Sequence, residues 1–200
     1  MNIAVFASGN GSNLQALIDA QKNNKFGHGK ITLVVSDNPS AYALTRAKNA
    51  GIKIYSESWK NFKDRISFDK SVMNELEKEN ISLIVLAGYM RILSREFIER
   101  YKNKILNIHP SLLPSFKGAH AIKDAYEYGV KVTGVTVHFV IEDLDAGPII
   151  LQTAVKIEEK DTLEILENKI HSEEHKLYSE AVLLFIQNRI KIHGRKIIII

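Results

Sequence analysis

The residues best suited to chemistry stand in the stretch LNIHPSLLP, residues 106–114, where an apolar run ends in an amide, an imidazole and two prolines. Side chains two apart in an extended segment project to the same face, so Asn107 and His109 are expected to point together. Pro110 prevents the strand from continuing. The sequence therefore predicts a strand that ends here and delivers both groups to one ligand. A purely structural histidine is the alternative.

Asp145 is the carboxylate that could act with this imidazole. It opens the turn Asp-Ala-Gly-Pro, residues 145–148, between two strand-like segments. A carboxylate beside His109 would select one tautomer of the ring and favour its protonated form. The same four residues are also ordinary turn chemistry, which leaves a turn without a function as the alternative.

A glycine-rich turn, ASGNGSN at residues 7–13, follows the first apolar run and opens a helical pattern. Free backbone N–H groups and the positive end of a helix would hold a phosphate there. The turn lacks the third glycine of a dinucleotide fingerprint and the Gly-Lys-Ser/Thr of a nucleotide-triphosphate loop, so a monophosphate fits better. A tight turn capped by Ser12 or Asn13 is the alternative.

A second strand end carries apolar residues where a sheet usually presents polar ones. The run 81–87 is followed by GYMRIL, residues 88–93. A flat apolar ligand would bind against such a wall. Alternatively, Met90, Ile92 and Leu93 belong to the core beneath the next helix.

Val- and Ile-rich runs alternate with helical patterns through the first half of the chain, which predicts a parallel sheet. The runs are residues 3–7, 31–35, 81–87 and 105–108, and the helices are 12–22, 40–49, 63–79 and 94–101. Segments 132–140 and 149–157 predict an antiparallel hairpin, followed by a long helix over about 161–190. The predicted fold is α/β, a doubly wound, mostly parallel sheet with a hairpin extension and a long C-terminal helix. The final isoleucines are left open as an edge strand, a partner contact or a disordered tail.

The composition indicates one compact domain over residues 1–200, with 45% hydrophobic and 25% charged residues. The net charge of +4 is mild and mixed in sign, which suits a small anionic ligand and gives no reason to expect nucleic acid. There is no cysteine, so thiolate chemistry is excluded. No apolar run approaches the roughly 20 residues of a membrane helix. We therefore expect a cytoplasmic protein without a membrane partner.

Four stretches, in this order, resemble the phosphoribosylglycinamide formyltransferases, a family of folate-dependent enzymes: SGNGSNLQALID, LAGYMRILS, LNIHPSLLPSFKGAHA and VHFVIEDLDAGPIILQ. The resemblance covers residues 1 to about 190. It implies a Rossmann-like formyltransferase fold that transfers the formyl group of 10-formyltetrahydrofolate to the amine of 5-phosphoribosylglycinamide, in purine biosynthesis, without a metal. Small-molecule substrates would be its partners, in a monomer or a homodimer.

The resemblance also implies site residues. Three would be catalytic and would serve direct transfer through a tetrahedral intermediate: Asn107, His109 and Asp145. The ribonucleotide would be bound by Gly11, Ser12, Asn13, His171, Ser172, Glu173 and Glu174. The folate would be bound by Arg65, Met90, Arg91, Ile92, Leu93, Asn107, Ile141, Glu142, Asp143, Leu144 and Asp145. The peptide bond Leu113–Pro114 is expected to be cis.

Two alternatives of other classes remain. HSEEH at residues 171–175 matches H-x-x-E-H, a zinc-peptidase motif that places two imidazoles on one helix face. Such a site needs a further ligand downstream, and Glu180 is the sole acidic residue that follows. A nucleotide-binding module without catalysis is favoured by the glycine-rich turn and by Asp37, where a ribose contact could lie. That second alternative leaves Asn107, His109 and Asp145 unexplained.

Overall fold

The structure is a computed structural model that describes all 200 residues. The chain divides into two compact units, Met1–Leu106 and Asn107–Ile200. We call them unit 1 and unit 2 and describe each by itself. That residues 1–200 fold as one domain stays a prediction.

Unit 1 alternates strands with helices, as the sequence predicts. Its strands are β1 (Asn2–Phe6), β2 (Lys30–Ser36), β3 (Lys53–Ser56) and β4 (Ile81–Leu86), and its helices are α1 (Ser12–Lys22), α2 (Tyr42–Asn49), α3 (Arg65–Lys78) and α4 (Arg95–Arg100). β1 pairs in parallel with both β2 and β4, and β2 pairs in parallel with β3. Because all four strands are parallel, the segments that follow them begin at the same edge of the sheet.

Unit 2 contains the hairpin and the long helix. Its elements are β5 (Ile105–His109), which begins at the end of unit 1, α5 (Ala121–Tyr128), β6 (Val132–Phe139), β7 (Ile149–Lys156), α6 (Leu163–Ile186), β8 (Ile190–His193) and β9 (Lys196–Ile199). β6 and β7 pair antiparallel, which confirms the predicted hairpin. Seven strands form one mostly parallel sheet in the order β3-β2-β1-β4-β5-β6-β7. The predicted fold class is therefore confirmed.

The core of unit 1 forms where the buried strands meet. Val5 of β1 lies opposite Val34 on one side and Val85 on the other, and all three side chains are fully buried. Burying a side chain of this size stabilises the fold by about 1.5–3 kcal/mol. Phe6 adds an edge-on contact with Phe97 of α4, at 6.1 Å between ring centroids. The strands are thus anchored from within, and their ends are left to carry polar groups.

Several predicted boundaries differ from the structure. The long helix was predicted to reach about residue 190, but α6 ends at Ile186, because Asn188 adopts a left-handed φ of 56° and β8 begins at Ile190. The isoleucine tail forms β9, which pairs antiparallel with β8. β3 and α5 were not predicted; β3 is short and has no buried residue, and α5 buries only Ala121 and Ala125. The Leu113–Pro114 bond is cis, as predicted. No helix combines the length and apolar character that crossing a membrane requires.

The close packing around Gly134 of β6 predicts that a larger residue there destabilises the fold. A Cβ there would lie 2.1 Å from the backbone oxygen of Thr153 and 2.7 Å from Cδ2 of Leu112. Gly134→Ala should therefore cost about 2–3 kcal/mol or prevent folding. Urea unfolding measures the loss. Gly9→Ala is the control, because a Cβ at Gly9 meets nothing within 4 Å; equal stabilities for the two variants would contradict the packing described here.

Candidate active site

A buried polar cluster lies at the end of β5, entirely within unit 2. Asn107 and His109 are two apart on this strand. His109 lies next to Asp145, and Asn107 bonds to a second imidazole, His138, which also lies near Asp145. His109 is 4% exposed and Asp145 is 8% exposed. The structure therefore brings His109 and Asp145 together and links Asn107 to them through His138.

His138 of β6 was missed by the sequence analysis. Its Nδ1 lies 2.8 Å from the backbone oxygen of Phe139, so Nδ1 carries the hydrogen and donates it. Its Nε2 then accepts from Nδ2 of Asn107 at 3.2 Å. Burial lowers the pKa of His138, although the Phe139 carbonyl and the Asp145 charge oppose the shift. A neutral His138 thus orients the Asn107 amide, and one amide hydrogen remains for a ligand. The only feature of the sequence that pointed to His138 was its position in the alternating segment 132–140.

Asp145 holds the cluster together. Its Oδ2 accepts the backbone N–H of Gly118 at 2.9 Å and lies 3.5 Å from Nδ1 of His109, while Oδ1 lies 3.9 Å from Nε2 of His138. Asp145 has a φ of 48°, and Gly147 passes so close to Phe139 that a Cβ would lie 1.8 Å from its oxygen. The D-x-G-P turn is therefore tightly bent and points its carboxylate inward.

The two nitrogens of His109 both face acceptors. Nδ1 faces the Asp145 carboxylate, and Nε2 lies 2.7 Å from the backbone oxygen of Phe116. Because a carbonyl oxygen can only accept, Nε2 carries a hydrogen. A ligand that is to receive this hydrogen must take the place of the Phe116 carbonyl.

The glycine-rich turn belongs to unit 1 and leaves a helix start open. Gly11 is the N-cap residue of α1, with a φ of 76° and no side-chain hydrogen bond to the helix. The alternative in which Ser12 or Asn13 caps the helix is therefore wrong. The first N–H groups of a helix have no partner within it, so those of α1 can meet an anion.

Arg46 of α2 supports this turn and was not found from the sequence. Its Nε donates to the backbone oxygen of Asn10 at 2.9 Å, Nη2 donates to Oδ1 of Asn10 at 3.0 Å, and Nη1 donates to Oε1 of Gln15 at 3.2 Å. A positive charge is thus held beside the open helix start. No local pattern could reveal contacts that span more than thirty residues.

Within residues 88–93 of unit 1, Met90 and Ile92 form an exposed apolar surface. Met90 is 73% exposed and Ile92 is 59% exposed, so their assignment to the core is wrong, whereas Leu93 is buried. The guanidinium of Arg91 lies 4.8 Å from the ring centroid of Trp59, an exposed aromatic that the sequence analysis did not single out. The other predicted folate residue of this unit, Arg65, is the first residue of α3.

The predicted folate loop of unit 2, residues 141–145, is exposed except at its end. Ile141 and Leu144 are exposed apolar side chains, Glu142 and Asp143 are exposed, and Asp145 is buried. The loop therefore offers apolar contacts next to the buried carboxylate.

The segment 171–174 on α6 presents two different faces. Nδ1 of His171 lies 2.8 Å from Oε2 of the buried Glu174, and this hydrogen bond raises the pKa of His171. Ser172 and Glu173 instead line a groove of about 770 Å³ beside β7. No group of three His, Cys, Asp or Glu side chains could hold a metal ion, so the H-x-x-E-H spacing is not part of such a group.

The contact with Asp145 allows a prediction about the pKa of His138. The negative charge of Asp145 raises the pKa of His138 against the effect of burial. Asp145→Asn keeps the shape and removes the charge, so the pKa of His138 should fall further below its ordinary value. An NMR titration of the ring signals measures it, with Asp124→Asn on α5 as the control. An unchanged or higher pKa would contradict the contact.

Comparison with known proteins identifies the family that this chain resembles. The family model described as formyl transferase matches residues 1–182. The phosphoribosylglycinamide formyltransferase of Bacillus subtilis is 43% identical over 188 residues, which are 93% of this chain and 96% of that protein. The human trifunctional purine biosynthetic protein adenosine-3 is 44% identical over 95% of this chain, which spans 19% of that longer protein.

A solved structure gives the same result. The glycinamide ribonucleotide transformylase 1 of Symbiobacterium toebii superimposes with a TM-score of 0.97 at 43% identity, covering 100% of this chain and 94% of that one. Because the family model matches residues 1–182 and the Bacillus subtilis enzyme is matched over 96% of its length, this chain belongs to the formyl transferase family, among its phosphoribosylglycinamide formyltransferases.

Proposed function

We propose that the chain transfers the formyl group of 10-formyltetrahydrofolate to the amine of 5-phosphoribosylglycinamide, with Asn107, His109 and Asp145 as its catalytic residues. Membership of the family makes the chain a formyltransferase of purine biosynthesis that uses a folate. The observation that carries the assignment of residues is the buried cluster at the end of β5, in which two imidazoles lie beside one carboxylate and one of these imidazoles bonds to the Asn107 amide.

Asn107 and His109 would stabilise the charge that develops during transfer. When the amine attacks the formyl carbon, the formyl oxygen becomes negative, and donors fixed in a buried site stabilise it strongly. Asn107 is oriented by the neutral His138 and has an amide hydrogen to spare. The Nε2 hydrogen of His109 becomes the second donor when the substrate displaces the Phe116 carbonyl.

His109 would also move protons. The attacking amine must lose a proton and the folate nitrogen must gain one, and an imidazole can do both. Asp145, 3.5 Å from Nδ1, stabilises the ring while it is positively charged. Because the backbone N–H of Gly118 already holds the Asp145 carboxylate in place, Asp145 can act without a change of structure.

The phosphate of the ribonucleotide and the pterin of the folate would bind to chemically different surfaces. The open start of α1 and the guanidinium of Arg46 suit the phosphate of the ribonucleotide. In unit 1, the exposed apolar side chains of Trp59, Met90 and Ile92 suit the flat pterin of the folate. The predicted monomer or homodimer and the cytoplasmic location are part of this proposal, and sedimentation and cell fractionation test them.

The test of the activity is to mix the protein with 5-phosphoribosylglycinamide and 10-formyltetrahydrofolate and to follow loss of the formyl group from the folate. The proposal requires turnover that depends on both substrates. A nucleotide-binding module without catalysis would bind the ribonucleotide and leave the folate unchanged.

His109→Ala removes the proposed donor and the proposed proton carrier together. The rate should fall by about 10²- to 10⁴-fold, the usual contribution of a general acid or base. Steady-state kinetics measure the loss, and circular dichroism checks the fold. His193→Ala, on the exposed strand β8, is the matched control. Activity of His109→Ala within about tenfold of the unaltered protein would be too high for this role.

Gly11→Ala tests the phosphate site. A Cβ at this left-handed position would lie 2.7 Å from Cβ of Ala43, so the turn must move. A shift of about 1 Å can cost up to about 10²-fold, so the KM for 5-phosphoribosylglycinamide should rise at least about tenfold while the KM for the folate changes little. Gly129→Ala is the control for backbone strain, with a φ of 82° and nothing near its Cβ. A rise confined to the folate KM would mean that the two sites are exchanged.

A further inference from the structure

Ser8 ties together the segments that follow three strands of unit 1. Its backbone N–H donates to the oxygen of Gly88 at 3.1 Å, and its own backbone oxygen accepts from Nδ2 of Asn38 at 3.2 Å. Its hydroxyl oxygen lies 2.6 Å from Oδ1 of Asp37 and 2.9 Å from the backbone nitrogen of Met90. Ser8 is therefore bound to the segments after both β2 and β4.

The direction of the two hydroxyl bonds follows from chemistry. An ionised carboxylate can only accept, so Ser8 donates its single hydroxyl hydrogen to Asp37. A lone pair then remains to accept the N–H of Met90. Asp37 therefore acts on Met90 through Ser8. By accepting the hydroxyl hydrogen, Asp37 orients the Ser8 oxygen that accepts the Met90 N–H.

The backbone at Met90 needs such a support, because burial does not hold the Met90 side chain. Residues 88–93 have no regular secondary structure, and within them Met90 and Ile92 are exposed, although Leu93 is buried. The far end of the segment is held independently, because Oδ2 of the buried Asp69 accepts the backbone N–H of Ser94 at 2.7 Å. The Ser8 hydroxyl is the corresponding tie at the near end.

We propose that Ser8, held by Asp37, is a positioning residue that sets the backbone at Met90 and thereby the apolar surface on which the folate binds. The inference rests on the proposed function. It gives Asp37 a role different from a ribose contact. Ser8 and Asp37 touch neither substrate through these atoms and act through Met90.

The test compares the two KM values in four variants. Ser8→Ala and Asp37→Ala should each raise the KM for 10-formyltetrahydrofolate about 3- to 10-fold, which corresponds to the loss of one ordinary hydrogen bond, and should change the KM for the ribonucleotide less. Asp37→Asn keeps an oxygen that accepts from Ser8, so its folate KM should stay near that of the unaltered protein. The double variant Ser8→Ala/Asp37→Ala should be no worse than Ser8→Ala alone, because Asp37 acts through Ser8.

Ser40→Ala is the matched control, since its hydroxyl bonds only to Asn38 on the exposed side of the same loop. A structural role alone would lower the melting temperature and raise both KM values together, and this result would overturn the proposal. The proposal would also be overturned if Asp37→Asn raised the folate KM as much as Asp37→Ala, or if the effects of the two substitutions added in the double variant.

Hydrogen exchange without any ligand separates this inference from the proposed function. The Met90 amide should exchange faster in Ser8→Ala and Asp37→Ala than in the unaltered protein, and Asp37→Asn should retain protection. Unchanged exchange in Ser8→Ala would refute the tie even in an active enzyme. An unaltered protein that does not transfer formyl groups would refute the proposed function, and the exchange rates would still decide the tie.

Discussion

The polar part of unit 2 depends on one constraint, the burial of the Asp145 carboxylate. A buried charge is tolerated only when hydrogen bonds and opposite charges replace the water that it loses. Here the backbone N–H of Gly118 supplies a hydrogen bond, and Nδ1 of His109 lies 3.5 Å from the same carboxylate oxygen. The end of β5, the turn before β7 and the loop at Gly118 must therefore meet at one point, and the close passage of Gly147 along Phe139 shows how tightly they do so.

The same burial gives the two histidines different tasks. His138 is held by the Phe139 carbonyl and kept neutral by burial, so its free nitrogen can only accept, and it orients Asn107. His109 faces a carboxylate with one nitrogen and a displaceable backbone carbonyl with the other. One ring is suited to hold a neighbour still, and the other is suited to exchange a hydrogen with a substrate.

In unit 1, long-range hydrogen bonds position the segments that follow the strands. Its strands are anchored by buried aliphatic side chains, but the segments after them are exposed and are positioned by hydrogen bonds that span long stretches of sequence. Arg46 holds the glycine-rich turn through Asn10, and Ser8 holds the turn after β4. The apolar side chains of Met90 and Ile92 stay exposed, where a ligand can reach them.

The sequence alone determined the features that repeat locally or lie close together in the chain. Alternating apolar runs identified the main strands, capping residues and Gly identified most helices, and two-residue spacing placed Asn107 beside His109. Tertiary structure decided what depends on distant partners: that His138 completes the cluster, that Arg46 and Ser8 support the loops, and that Met90 and Ile92 are exposed while Leu93 is buried. It also ended α6 before residue 190 and turned the isoleucines into a strand. The physical reason is that hydrophobic period and turn chemistry act over a few residues, whereas burial and hydrogen bonding depend on which segments the folded chain brings together.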